Sequence, residues 1–496
     1  MTRLKGLIPA AGKGVRARPY THDIHKGMLE IDGKPNLERI IRIMRDEMGI
    51  SEITIVIGHL GETIREHFGD GSRLGVSLRY VENMALEKGL AYSVFLGSQA
   101  MDGPFCMMLC DECYFGSNHS ELASYDLGDA LGVCAGQRVD DQSLIERNYA
   151  VYKDGNRITH LVEKPKHIDN DIMGSGTFLF SPRLFPMLEE AFARSESGYV
   201  EFVNFLGSLV ENGERLDYYE LEGTYVNIND RDSLQQARFH ERSRRFHEKR
   251  VDLLIYSQGD EENVAFTVDR YREAQDIHTV CLVVPAENQV EEQIADPDVR
   301  VIRCPEECVL YGEKIRYALE RMDGDILILT EADYSFPARD TAKLLTYLRE
   351  ADMVVGTRTT RQLVVQGSHM RGVVRLANIF LGKLLESLWW NREGRLTDVG
   401  CTFRAIWRPA YEKIQSRLTA RGPEFSAEMV IELLQERQRV IEIPVNYFNI
   451  SYSLARAYQR PSTAMRFLAL IVGRRLRYFF SSSSPSQTSR AKISGA

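Results

Sequence analysis

At 496 residues the chain is long enough for two or three domains, and 44% hydrophobic side chains supply sizeable cores. Its 70 acidic and 62 basic side chains leave a net charge of −8, which excludes a general nucleic-acid binder, whose binding domain would be basic. The opening MTRLKGLIPAAGKG has too short an apolar run for a secretory signal, no later run has the length that spans a bilayer, and eight scattered cysteines suit reduced thiols, so the expectation is a cytoplasmic protein.

The first predicted strand, residues 4–10, runs into the glycine-rich turn AAGKG. Gly12 and Gly14 free the backbone for positive φ and close approach, so that peptide N–H groups can face phosphate oxygens, while Lys13, Arg16 and Lys26 supply positive charge. The spacing fits neither the P-loop, which needs a lysine directly after its last glycine, nor the dinucleotide fingerprint, which needs a third glycine near Ala17. From Pro35 to Met48 the apolar residues Leu37, Ile40, Ile41 and Met44 have helical spacing, and ITIVIG at 53–58 reads as the next strand. This βαβ alternation predicts a mostly parallel sheet with ligands at the carboxyl ends of its strands.

A glycine turn at Gly89 leads into the next helix, and PFCMMLCDECYF reads as a buried strand running into a loop. Its three cysteines fall short of the four matched ligands of a zinc site. Asp111 ends the apolar run and puts a carboxylate at the carboxyl edge of the sheet, where a hard cation bridging phosphates takes oxygen ligands.

AAGKGVRARP followed by HKGMLEIDGKPNLERII resembles the opening of the sugar-1-phosphate nucleotidyltransferases, with Ala11, Gly12, Gly14, Arg16 and Lys26 on matching positions and His25 and Gly27 replacing the usual prolines. The resemblance covers about the first half of the chain. It implies that Ala11, Gly12 and Gly14 cradle the nucleotide, that Glu82 and Gly89 lie at its base, and that Asp111 binds the metal, Mg²⁺ or Mn²⁺. In THLVEKP it implies that Glu163 touches the sugar and Lys164 the phosphate, and in NDIMGSGTF that Gly174 or Gly176 lets the backbone approach the sugar. The family carries a second metal-binding Asp where this chain has Asn227; an amide brings no charge to offset the cation, and Asp230 is the alternative ligand. The implied chemistry is attack by a phosphate monoester on the α-phosphorus of a nucleoside triphosphate, with Arg16 on the leaving pyrophosphate and Lys26 and Lys164 on the reacting phosphates.

From Gln235 to Arg250 the charged QQARFHERSRRFHEKR reads as a solvated linker helix, and VDLLIYSQGDEENVAF then restarts a strand, a polar turn and a helix. The second half resembles the family-two glycosyltransferases, particularly the branch that includes dolichol-phosphate mannose synthase, through YGEKIRYALERMDGDILILTEADYSFP, ADMVVGTRTTR, LTDVGCTFRAIWR and EFSAEMVIELLQERQRVIEIPVNY. Glu331 and Asp333 stand where that family has Asp-x-Asp, a pair that can share a divalent cation with a nucleoside diphosphate. The resemblance makes Asp398 a candidate general base and Arg404 or Arg358 a diphosphate ligand. In the base-reading region VCLVVPAENQ offers only Glu287 where acids are usual.

After Tyr447 come Arg456, Arg460, Arg466, Arg474, Arg475 and Arg477 with no acid up to Phe480, and Met465, Leu468, Val472, Leu476 and Phe479 share a helical face. The pattern suits an interfacial helix on an anionic membrane or a last helix packed on its own domain. The tail 481–496 is low-complexity and expected to be disordered. The expected fold is α/β with two Rossmann-like nucleotide-binding domains: a nucleotidyltransferase fold (1–238), a charged linker helix (239–250), and a glycosyltransferase A-type domain with a basic C-terminal helix (251–480). The expected function is bifunctional, with a nucleoside triphosphate and a sugar phosphate or phosphorylated alcohol joined in the first domain, and the nucleotide-activated donor passed to an acceptor in the second. Three matters stay open: a lipid acceptor or peripheral contact with the inner membrane surface, an oligomer, and a second half degenerated to a binding or scaffolding module.

Overall fold

The computed structural model describes residues 4–18, 20–259, 261, 264–274, 276–287, 294, 297–364, 370, 372–390, 394–448 and 461–482. Arg456, Arg460 and the tail from 483 lie outside them. The chain divides into two compact units, Met1–Arg242 and Ser243–Ala496.

In the first unit, strands β1 (Lys5–Ala10), β4 (Glu52–Ile57), β5 (Ser77–Glu82) and β6 (Phe105–Met108) form a parallel half-sheet in the order β5-β4-β1-β6. The short strands β2 (Glu30–Ile31) and β3 (Lys34–Pro35) pair only with each other. Strand β1 is buried from Gly6 to Ala10, as a central strand covered on both faces must be. The predicted helix runs Asn36–Arg42 and continues as a widened turn to Glu47, burying Leu37, Ile40, Ile41 and Met44.

Beyond β6 the sheet turns mixed. It continues through β11 (Ile172–Phe180), β8 (Gly132–Arg138), β12 (Leu216–Glu220), β10 (Arg157–Glu163) and β9 (Tyr149–Asp154), with β11 antiparallel to both neighbours. The expectation of a mostly parallel sheet holds for the first four strands and again for β8 and β12, which pair in parallel, while β11 and β10 run against the others. The link from β9 to β10 is two residues with Gly155 at φ 56°, too short for the crossover that parallel pairing needs. Strands β7 (Glu112–Phe115) and β13 (Thr224–Asn227) form a separate ribbon in which Asn227 lies opposite Glu112.

The charged linker is corrected by the structure. Its residues up to 244 belong to a helix, Arg231–Arg244, in which Arg238, Glu241 and Arg242 are buried; Arg39 pairs with Glu241 at 2.8 Å and Arg238 Nε donates to the Glu30 carbonyl at 3.1 Å. A helix that looks solvated by composition is thus tied by its charges to the first unit.

His119 is fully buried, with ring nitrogens 2.7 Å from Ser117 Oγ and 3.4 Å from Thr177 Oγ1, and burial lowers its pKa to about 4. Below pH 6.5 the unfolded chain binds a proton that the folded chain refuses until about pH 4, so stability falls across that window as pH drops. The expected loss is about 3 kcal/mol. Denaturant titrations at several pH values should show this slope in the wild type and a flatter one in His119→Gln.

In the second unit, β14 (Val251–Tyr256), β15 (Thr279–Val284), β16 (Arg300–Arg303) and β17 (Ile326–Glu331) are parallel in the order β16-β15-β14-β17. The antiparallel β19 (Arg404–Trp407) follows, then β18 (Met353–Thr357) and β20 (Val440–Pro444). Each unit therefore begins with four parallel strands in the order third, second, first, fourth, closed by an antiparallel one, and the fourth strand of each leads into the predicted metal-binding acids.

The C-terminal helix, Pro461–Ser482, packs on its own unit through Phe467 and Ile471, while Arg474 turns inward to Glu428 and, at 3.0 Å, to Glu432. This seating leaves Met465, Val472, Leu476 and Phe479 of the predicted face exposed, while Leu468 packs against the core of the unit.

Candidate active site

The glycine turn leaves β1 at the carboxyl end of the parallel strands. Gly14 sits in the left-handed region at φ 57°, and its carbonyl accepts from Thr21 Oγ1 at 2.7 Å, which folds the chain back toward Lys26. A Cβ on Gly14 would lie 3.2 Å from that of Lys26. The turn opens on a pocket of about 390 Å³ lined by Ala11, Gly12, Gly14, Arg16 and Lys26, joined by Gly89 and Asp111.

Two cations and one carboxylate meet there around an amide that was not anticipated. Lys26 Nζ donates to Asp111 Oδ2 at 2.5 Å and to Asn229 Oδ1 at 3.0 Å, and Arg16 donates to the same Asn229 oxygen at 2.9 Å. Asn229 lies two residues past Asn227, and its only signal in sequence is a polar residue just after a short strand.

Asp111 is held by its backbone. Asn36, fully buried, donates from Nδ2 to the carbonyls of Cys110 (3.0 Å) and Glu112 (2.9 Å) and accepts from the Cys113 thiol, so it clamps the loop on both sides of Asp111. Asn36→Ala would leave two carbonyls and a thiol without partners, an expected cost of about 2–3 kcal/mol by denaturant unfolding.

Glu112 is also buried. It accepts from Gly176 N at 2.7 and 2.8 Å, from Tyr225 at 2.7 Å and from Tyr114, while burial, with Asp111 second, pushes its carboxyl up to about 7. This carboxylate ties β11 to the Asp111 loop, and Gly176 serves it. A Cβ on Gly174 would come within 2.0 Å of the Tyr149 ring, so both glycines have packing reasons to be glycine.

Other predicted residues lie elsewhere. Glu82 pairs with Arg65 at 2.6 Å on the surface; its neighbour Asn83, buried and donating to Ser93 Oγ at 2.9 Å, lines the pocket instead. Glu163 and Lys164 pair with each other at the end of β10, outside this lining; burial raises the Glu163 carboxyl, and Lys164 holds a left-handed φ of 45°, a strained backbone for a non-glycine residue. Asp230, the alternative metal ligand, is engaged in capping instead: Oδ1 accepts from Ser233 N at 2.9 Å and Ser233 Oγ at 2.7 Å, which lowers its pKa and starts the helix 231–244.

Asn227 donates to Asn148 Oδ1 at 3.2 Å, while its own Oδ1 is buried without a partner and the next residue, Ile228, donates its N–H to the Asp111 carbonyl at 2.8 Å. An orphaned amide oxygen near the Asp111 backbone fits a hard divalent cation as an oxygen donor, with Asp111 supplying the charge.

In the second unit Glu331 and Asp333 are both buried at the carboxyl end of β17. Thr402 donates to Glu331 at 2.5 Å and Ser335 N to Asp333 at 2.9 Å. Burial and mutual repulsion raise Glu331, and burial raises Asp333. Glu261, missed in sequence, is a third buried acid; it accepts from Ser257 Oγ at 2.6 Å and Gln258 N at 2.7 Å. Glu287, the expected base reader, is exposed.

Two expectations are corrected here. Asp398 is fully buried and grips Arg358 through two side-chain bonds of 2.8 Å, so it is an ion-pair partner rather than a poised base. Arg404 is fully buried and donates to the Ser426 carbonyl at 2.7 Å and to that of Cys401, so it braces the fold. Arg358 does line a cavity of about 450 Å³ with Arg361 and Arg375.

Among known proteins, residues 5–244 match the family model described as nucleotidyl transferase. The UTP–glucose-1-phosphate uridylyltransferase AglF of Haloferax volcanii is 29% identical over 245 residues, 47% of this chain and 96% of its own length. The low-salt glycan biosynthesis nucleotidyltransferase Agl11 of the same organism is 29% identical over 236 residues, 47% of this chain and 65% of its own length. A solved structure described as a putative glucose-1-phosphate thymidylyltransferase from Bacillus anthracis is similar at 22% identity and a TM-score of 0.44, over 47% of this chain and 94% of its own. With its glycine turn, paired cations and strand-end aspartate, the segment 5–244 belongs to the nucleotidyl transferase family.

Proposed function

We propose that the first unit joins a nucleoside triphosphate to a sugar 1-phosphate and releases pyrophosphate. The observation that carries this reading is the meeting of Lys26, Arg16, Asp111 and Asn229 in one pocket at the carboxyl ends of parallel strands. The sugar phosphate is the nucleophile, so the protein needs no nucleophile of its own. Its task is to align a phosphate oxygen with the α-phosphorus and to offset charge on the leaving pyrophosphate.

Gly12 and Gly14 present backbone N–H groups to the triphosphate, Arg16 takes the pyrophosphate side, and Lys26 and Lys164 hold the reacting phosphates. Lys26 is held by Asp111 and Asn229 and Arg16 by Asn229, contacts that keep both side chains ordered for phosphate. Ala11, Gly89 and Asn83 face the base, and Glu163 and Gly174 the sugar. Asp111 and Asn227 would hold Mg²⁺ or Mn²⁺, which when bound offsets phosphate charge.

We further propose that the second unit transfers the activated group to an acceptor, with a cation held by Glu331 and Asp333. Among the described residues neither acid pairs directly with Lys or Arg, so two buried carboxylates repel each other where a divalent cation would relieve them. Fusion of the two units would raise the local concentration of the activated donor for this second step.

The test is to incubate the full chain with each nucleoside triphosphate, Mg²⁺ and a panel of sugar 1-phosphates and phosphorylated alcohols, measure pyrophosphate, then add lipid and soluble acceptors. Pyrophosphate release with one matched pair supports the first reading, and none with any pair overturns it. Transfer that survives Asp333→Ala overturns the second.

A further inference from the structure

The short turn that carries Lys26 is capped by an imidazole. His25 is 2% exposed, its carbonyl accepts from Met28 N at 2.8 Å, and its Nδ1 accepts from Gly27 N at 3.1 Å. The turn is seated closely, since a Cβ on Gly27 would lie 3.2 Å from that of Cys110, the residue before Asp111. His25 thus helps to set Lys26 against the Asp111 loop.

The same bond fixes the chemistry of the ring. An imidazole that accepts at Nδ1 is neutral and carries its one proton on Nε2, so the second nitrogen is a donor. Among the described residues Nε2 is buried and has no hydrogen-bond partner. Buried donors are as a rule satisfied, and an unpaired one in the wall of a binding pocket is explained by an acceptor that the ligand brings.

His25 lines the pocket together with Gly12, Lys26 and Asp111. The Gly12 backbone lies beside the ring without a hydrogen bond to Nε2, which places the imidazole between the glycine turn and the lysine turn. A triphosphate laid along Gly12 and Gly14 would bring non-bridging oxygens to this edge. Proline, the usual residue at this position in the resembled family, has no side-chain donor to offer them. A neutral N–H here adds a hydrogen bond to an anionic oxygen where Arg16 and Lys26 already supply charge.

We propose that His25 is a triphosphate-binding residue whose Nε2–H donates to a non-bridging phosphate oxygen held over the Gly12 and Gly14 turn. This contact rests on the nucleotidyl-transfer reading of the first unit and adds to it a donor that the usual proline lacks.

The test is isothermal titration of the full chain with each nucleoside triphosphate and Mg²⁺, followed by steady-state pyrophosphate release with the matched sugar 1-phosphate. The parent should bind one of the triphosphates. His25→Asn keeps an acceptor for Gly27 N and loses the distal donor, so it should bind that triphosphate about tenfold more weakly, with its KM raised to match. The KM for the sugar 1-phosphate and the thermal unfolding should stay close to those of the parent. His25→Gln puts an N–H near the Nε2 position and should recover affinity to within about threefold of the parent. The proposal fails if His25→Asn binds the triphosphate as the parent does, or if its loss falls on the sugar 1-phosphate instead. It also fails if His25→Asn and His25→Gln lose affinity alike and both unfold at lower temperature, since the ring would then only brace the turn. In each of these failures a parent that releases pyrophosphate leaves the nucleotidyl-transfer reading standing. A parent that neither binds a triphosphate nor releases pyrophosphate overturns that reading and this contact with it.

Discussion

Replacing Lys26 by alanine is expected to lower pyrophosphate release by about a thousandfold, the scale of removing a fixed cation from a site where charge develops. Among the described residues the ammonium group is the one partner that Asp111 and Asn229 share, at 2.5 and 3.0 Å, and its side chain is 11% exposed, so it is largely desolvated and aimed into the pocket. Lys26→Arg should recover little, because a planar fork cannot replace a compact charge in this corner. Asn229→Ala should have a smaller effect, about tenfold, because it removes the rest position of two cations and neither charge. Single-turnover assays with the matched substrates would separate these outcomes. Undiminished release in Lys26→Ala would remove the assignment of the pocket.

The second large effect is on stability. Asp398→Ala is expected to destabilise the second unit by about 3–5 kcal/mol, because it strands a buried guanidinium. Arg358 is 6% exposed at its side chain and donates two bonds of 2.8 Å to Asp398, whose carboxylate also accepts from the Arg358 backbone at 3.0 Å. Denaturant unfolding should show the loss in Asp398→Ala and, in smaller measure, in Asp398→Asn. A general base would behave otherwise: Asp398→Asn would abolish transfer in a protein as stable as the parent.

Much of the first site could be read in sequence because its parts are local. The turn after β1, Lys26 and Asp111 each sit where a strand stops, and a stop is visible as apolar residues giving way to glycine or charge. Asn36 and Asn229 were not legible: their work is to bind a loop 74 residues away and a lysine 203 residues away, and an asparagine carries no mark of such a partner. Glu82 and Asn83 show the limit at single-residue scale, since Glu82 ends β5 facing the surface and Asn83, the first residue past the strand, is the one that reaches the pocket. The four parallel strands that open each sheet followed from βαβ alternation, whereas the antiparallel strands inserted after them, β11 and β19, depend on pairings between distant strands. The charged helix 231–244 was misread because composition registers charge but not the carboxylate or carbonyl that receives it.

The inward turn of Arg474 has a practical consequence for anyone trimming this protein. Glu428 and Glu432 are fully buried, and Arg474 is bonded to both. Shortening the chain before Pro461 to obtain a tidier second unit would therefore remove a counter-ion as well as a helix. The C-terminal segment acts as a keystone, and expression tags and truncation boundaries should be placed after residue 482.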